Sequence, residues 1–82
     1  MLTEYIRAAM HRAKYEILEE DGTYVGKIPE CQGVWANEEK LEDCRNELQS
    51  VLEDWILVRI GDRLLLPVIN GIDLNSSKQE VA

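Results

Sequence analysis

The stretch that decides the fold is Glu19-Glu20-Asp21-Gly22-Thr23-Tyr24-Val25-Gly26-Lys27-Ile28-Pro29-Glu30-Cys31-Gln32-Gly33-Val34-Trp35-Ala36. Asp21-Gly22 supplies the positive φ that a tight hairpin needs, so the chain reverses there. On its C-terminal side Thr23–Ile28 reads as a strand with Tyr24, Gly26 and Ile28 on one face and Val25 and Lys27 on the other. Pro29 removes a backbone N–H and ends that pairing. Cys31-Gln32-Gly33 is a bend, and Val34-Trp35-Ala36 is a short third strand. Upstream, Tyr15–Glu19 reads as the strand that pairs across the hairpin.

Working outward, Leu2, Tyr5, Ile6, Ala9, Met10 and Ala13 recur at spacings of three and four, the signature of one apolar helix stripe. Its start falls at Thr3 or the first residue. A second, long helix runs from about Glu38 or Lys40 to about Ile60. Leu41, Cys44, Leu48, Val51, Leu52, Trp55, Ile56 and Arg59 follow its period, so one side packs on the sheet. Asn37 has the residue type of an N-cap, and Gly61 that of a left-handed stop. Leu64–Leu66 reads as a last strand, halted by Pro67. The expected fold is α+β, in the order α-β-β-β-α-β, with an antiparallel three-stranded meander packed by the long helix. Residues 1–69 form the single domain of this reading, and 70–82 a polar C-terminal tail.

The chain has 82 residues, 45% of them hydrophobic and 30% charged. That is a globular balance in a chain long enough for one domain. A domain this small buries only about 60–65% of its unfolded surface, so oligomerisation helps it. The net charge is −7, unevenly placed: residues 1–14 balance to +2, residues 15–54 to −9, and residues 55–82 to zero. An acidic middle repels phosphate backbones, which argues against direct nucleic-acid binding by that surface. It attracts a basic protein and speeds the encounter. It also serves solubility alone.

Chemistry that needs converging groups is hard to place. Cys31 and Cys44 lie thirteen positions apart with one histidine in the chain, so no zinc pattern is present. Cys44 occupies an apolar helix position, whereas Cys31 sits in a loop and reads as the exposed thiol. A disulfide between them stays open, since sequence gives no distance. His11 lies between Arg7 and Arg12 and reads as a surface cation. Glu16, Glu19, Asp21, Glu30, Asp43 and Glu47 are scattered acids without a metal-ligand pattern. No catalytic residue, metal site or cofactor is expected. No leader opens the sequence, and the longest apolar runs, Trp55–Val58 and Leu64–Ile69, fall far short of the ~20 residues that span a bilayer. The expected setting is cytoplasmic, with reduced thiols and no membrane.

Among the aromatics, Tyr24 and Trp55 fit apolar faces and read as core. Trp35 points opposite to Val34 and Ala36. If those two face the core, Trp35 faces solvent or a partner. With the acids around the hairpin and bend, this makes Glu19, Glu20, Asp21, Glu30 and Trp35 the candidate partner-binding residues.

The hairpin-and-bend run resembles the signature of the HicB family: an acidic-Gly hairpin, a Tyr, then Pro-x-x-x-Gly and a short strand. Gly22, Tyr24, Pro29 and Gly33 carry that likeness. Leu41-Glu42-Asp43-Cys44 and the helix through Leu48, Leu52 and Trp55-Ile56 resemble the family's next segment. The opening Tyr5-Ile6-Arg7-Ala8-Ala9-Met10 resembles its variant with an extra N-terminal helix. The resemblance covers about residues 2–67. It implies a partial RNase H-like sheet without catalytic carboxylates. It also implies an antitoxin that covers the active site of a small basic mRNA-cleaving toxin, HicA. Many members carry a C-terminal DNA-binding domain; with about fifteen residues after Pro67, none is expected here. Lys40 stands where the family often has a capping Thr. Two other readings compete: a homo-oligomeric scaffold without toxin, and a metal-dependent RNase H-like nuclease. Self-association to a dimer or higher is expected, because open strand edges invite it.

Overall fold

The computed structural model describes residues 1–75. Helix α1 spans Leu2–His11, strands β1, β2 and β3 span Lys14–Ile17, Tyr24–Lys27 and Trp35–Glu38, and helix α2 spans Leu41–Gly61. The three strands form one antiparallel sheet in the order β1-β2-β3. The fold is the expected α+β meander with a long covering helix.

The hairpin closes where Asp-Gly requires it. Gly22 has φ +73°, and Leu18 N–H donates to Thr23 O at 2.8 Å. In-register rows then cross the sheet. Tyr15, Gly26 and Ala36 form one row, and Ile17, Tyr24 and Glu38 another, on the face that meets α2. Helix α2 answers with Cys44, Leu48, Leu52 and Ile56, a ridge of strict i, i+4 spacing that is wholly buried. Cys44 lies close against the sheet, its Sγ 3.5 Å from Ala36 O and 3.6 Å from Tyr24 O. Gly26 is what allows this approach: a Cβ there would lie 2.7 Å from Tyr15 Cε1 and 3.3 Å from Cys44 Sγ.

Helix α1 closes one side of the core with Tyr5, Ala8 and Ala9. The bend from Ile28 to Val34 closes the end of the sheet, burying Ile28, Cys31 and Val34, with Gly33 at φ +93°. Tyr5 is fully enclosed, and its hydroxyl donates to Pro67 O at 2.7 Å. Burial pushes that phenol up to about 12, so it stays a donor at every physiological pH.

Four expectations change. Cys31 is buried rather than exposed, and desolvation lifts its thiol to about 11. Both cysteines are free thiols. Asn37 does not cap α2. It lies in β3, where its amide donates to Thr23 Oγ1 and Tyr24 O at 2.8 Å each, and Lys40 takes the N-cap position without a side-chain bond. Gly61 is the last helical residue, and the left-handed conformation falls on Arg63 at φ +59°. Arg63 N–H reaches Ile60 O and Leu64 N–H reaches Arg59 O, the paired bonds of a Schellman stop. Among the described residues Leu64–Leu66 forms no strand. Instead the Asn75 side chain brackets Leu66, accepting from its N–H at 2.7 Å and donating to its carbonyl at 3.0 Å. An Asn70-Gly71 turn with both φ positive carries the chain back between Ile69 and Ile72, so Ile72 and Leu74 reach the core. The rest of the expected polar tail, 76–82, lies outside the described residues.

Candidate functional site

One face of the sheet is covered by α2, and among the described residues the other is bare. Alternation along the strands puts Lys14, Lys27 and Trp35 in one row of that bare face, and Glu16, Val25 and Asn37 in the next. Val34 and Ala36 are buried at 2% and 3% exposure, so Trp35 between them is driven outward and stands 60% exposed. It borders a groove of about 610 Å³ lined by Lys14, Val25, Lys27, Pro29 and Val34. This is a shallow apolar strip with two ammonium groups beside an aromatic face.

The register decides what shares a site. Glu19, Glu20 and Asp21 occupy the β1–β2 turn, next to the row of Ile17, Tyr24 and Glu38. Trp35 and Glu30 belong to the opposite end of the strands, near Lys14 and Lys27. The five candidate residues therefore form two sites rather than one. At the bend end, Glu30 is paired within the chain: Arg12 Nη1 donates to its Oε2 at 2.8 Å and holds its carboxyl below the usual range. Arg12 also donates to Asn70 Oδ1 at 2.7 Å, so this cluster ties the end of α1, the bend and the C-terminal segment together.

At the hairpin end, acids gather from three segments. Asp21 Oδ1 accepts from the Thr23 N–H at 3.0 Å and the Thr23 hydroxyl at 2.8 Å, which lowers its carboxyl pKa. Thr23 Oγ1 in turn accepts from Asn37, which locks the turn to the end of β3. Glu38 and Glu39 follow immediately, and Glu42 and Asp43 open α2, where acids suit the helix dipole. Glu19, Glu20, Asp21, Glu39, Glu42 and Asp43 are all exposed, and among the described residues none of them forms an ion pair.

Tyr24 and Trp55 are half-buried against the core, and Arg59 stacks over the Trp55 ring at 5.0 Å. Pro29 is exposed where β2 ends. His11 is exposed in the last turn of α1. Among the described residues no three of His, Cys, Asp and Glu gather closely enough to hold a metal ion. Nor is any helix there long and apolar enough to cross a membrane.

Sequence reasoning missed the two lysines beside Trp35 and the α2 acids beside the hairpin. Both groupings need cross-strand register. The signal for the lysines was parity alone: Lys14 and Lys27 are in opposite strands, and nothing local pairs them.

Known proteins supply a family context. A family model described as UPF0150-like matches residues 4–67. The crystal structure of TTHA0281 from Thermus thermophilus superposes with a TM-score of 0.83 at 37% sequence identity, over 89% of this chain and 90% of that one. No curated protein matches the chain.

Proposed function

The chain belongs to the UPF0150-like family, and from that premise we propose that it is a HicB-like, antitoxin-type protein. It works by binding and masking a small basic mRNA-cleaving toxin of the HicA kind, and not by turning over a substrate. The observation that carries this reading is the convergence of exposed, unpaired acids from the β1–β2 turn, the end of β3 and the first turn of α2 on one end of the sheet. A field of one sign over a small area accelerates encounter with a cationic protein and selects against other partners. Trp35, on the bare face, offers the rigid apolar contact that such a charged encounter lacks. The protein needs no cofactor for this role, does not meet nucleic acid directly, and acts in the cytoplasm, where a toxin of that kind finds mRNA.

The test is titration calorimetry of the purified chain against a small basic HicA-type toxin over a range of salt. A complex is expected whose affinity falls steeply as salt rises. Reversing Glu19, Glu20 and Asp21 to Lys should weaken it roughly tenfold or more, since exposed pairs contribute about 0.2–1 kcal/mol each. Trp35→Ala should weaken it without changing the salt slope. Absence of any complex at low salt ends the proposal.

A further inference from the structure

Helices α1 and α2 face each other across a cleft of about 400 Å³. Two rows of side chains line it. Thr3, Arg7 and His11 stand at i, i+4 and i+8 on α1, and Arg45, Gln49 and Glu53 at the same spacing on α2. Between the rows the lining is apolar, made by Ile6 and Met10, both half-buried against the core. Helical period builds each row, and only the packing of the two helices sets them opposite one another. The volume falls within the range of about 300–1,000 Å³ that small-molecule sites occupy.

The charges in this cleft run against those of the chain. The net charge is −7, yet two arginines and the single histidine gather here against one carboxylate. Two acids close by are already engaged. Glu4, one turn before Arg7, is paired with the Met1 amine at 2.8 Å. Glu53 Oε2 accepts from Gln49 Nε2 at 3.1 Å. Among the described residues Arg7, His11 and Arg45 form no ion pair. The charge of Arg45 reaches Tyr15, just beyond α1, and that of Arg59 reaches Tyr5 in the first half of α1, so the two helices run in opposite directions. His11 and Arg45 therefore lie towards one end of the cleft, and Thr3 and Glu53 towards the other.

Two guanidinium groups without a counter-charge favour an anion between them. Arg7 and Arg45 each present a planar fork of N–H donors, and His11 presents a ring N–H. A phosphomonoester ends in three strong acceptor oxygens and carries a charge of about −1.5 to −2, which matches three donor groups. A phosphodiester or a carboxylate offers only two such oxygens and a single charge. We propose that this cleft binds a small organic phosphomonoester, its phosphoryl oxygens on Arg7, Arg45 and His11 and its apolar body on Ile6 and Met10. Glu53, at the far end, repels a second phosphate. The site shares no residue with the toxin-facing acids or Trp35, so it does not depend on the role proposed for them.

Nuclear magnetic resonance on the full chain tests the proposal. His11 is the only histidine, so its imidazole Cε1–H gives one proton resonance at the site. Titration with phenyl phosphate at low salt and constant pH should move that resonance along a saturating curve, with a dissociation constant of about 0.1–1 mM. Inorganic phosphate should bind more weakly, because it lacks the apolar body. Dimethyl phosphate and acetate should bind about tenfold or more weakly than phenyl phosphate, because each leaves one donor group unmatched. Arg7→Gln and Arg45→Gln should each weaken binding about tenfold or more. Both residues are exposed, so far-ultraviolet circular dichroism should not change. Glu53→Gln should tighten binding, and Lys27→Gln, on the sheet, should leave it as it is. No saturable shift by about 10 mM phenyl phosphate would overturn the proposal. So would binding that survives both arginine substitutions, binding that Lys27→Gln weakens equally, or equal affinity for dimethyl phosphate or acetate.

Discussion

Replacing Gly26 by alanine should destabilise the fold, and the structure sets how much. The added Cβ would lie 2.7 and 2.8 Å from Tyr15 Cε1 and Cδ1, and 3.3 Å from Cys44 Sγ. Carbon atoms at rest sit about 3.5–4.0 Å apart, so the ring must retreat by nearly 1 Å. It cannot swing freely, because it is packed against the α2 face of the sheet beside Cys44. Overpacking of this kind costs about 1–3 kcal/mol. Against it stands the ordinary gain of alanine over glycine in a strand, about 0.5–1 kcal/mol. The clash wins, leaving a net loss of about 1–2 kcal/mol. For a domain of this size that corresponds to a fall in Tm of about 5–15 °C. Urea unfolding followed by Trp fluorescence should show a lower midpoint with an unchanged m-value. The cause is separable by a double-mutant cycle with Tyr15→Ala. Once the ring is gone, Gly26→Ala should cost nothing or stabilise, giving a coupling of about 1 kcal/mol or more. Gly26→Ala at full stability, or a cost that survives removal of the ring, would refute the claim that Gly26 exists to admit Tyr15 and α2.

Two further outcomes are expected from the same geometry. Arg63→Gly should stabilise the protomer by about 0.5–1 kcal/mol, since a side chain at φ +59° carries a penalty that glycine escapes. Thermal melts would read this, and an unchanged or lower Tm would contradict the Schellman reading. The Arg12–Glu30 pair should give a small pH-dependent stability. Arg12 depresses the folded-state pKa of Glu30 below its ordinary value of 4.5, so the pair's contribution is present above that value and is lost as pH falls through the lowered one. The pair is at the surface, so the effect is at most about 1 kcal/mol. The stability gap between wild type and Glu30→Gln at pH 7 should close as pH falls through that lowered pKa. A gap that persists in acid would mean the carboxyl charge is not what Glu30 contributes.

The order helix, three strands, helix was legible in the sequence because each element announces itself within a few residues. Asp21-Gly22 needs only its own φ angles to turn the chain, Pro29 needs only its missing N–H to end β2, and the spacing of Cys44, Leu48, Leu52 and Ile56 marks a buried ridge whatever it packs on. The outward direction of Trp35 was equally local, set by the alternation of Val34, Trp35 and Ala36. What tertiary structure alone decided was every grouping that depends on register or on competition between partners. Glu30 and Trp35 come soon after the hairpin acids in sequence, yet a four-residue strand carries them to the far end of the sheet. Asn37 has a capping side chain, but the Thr23 hydroxyl and the Tyr24 carbonyl across the sheet claim it first. Leu64–Leu66 reads as a strand, but among the described residues it has no neighbouring strand, and the Leu66 backbone bonds to the Asn75 side chain. Propensity is a property of a segment and its immediate neighbours, whereas a hydrogen bond goes to whichever group the rest of the chain brings within reach.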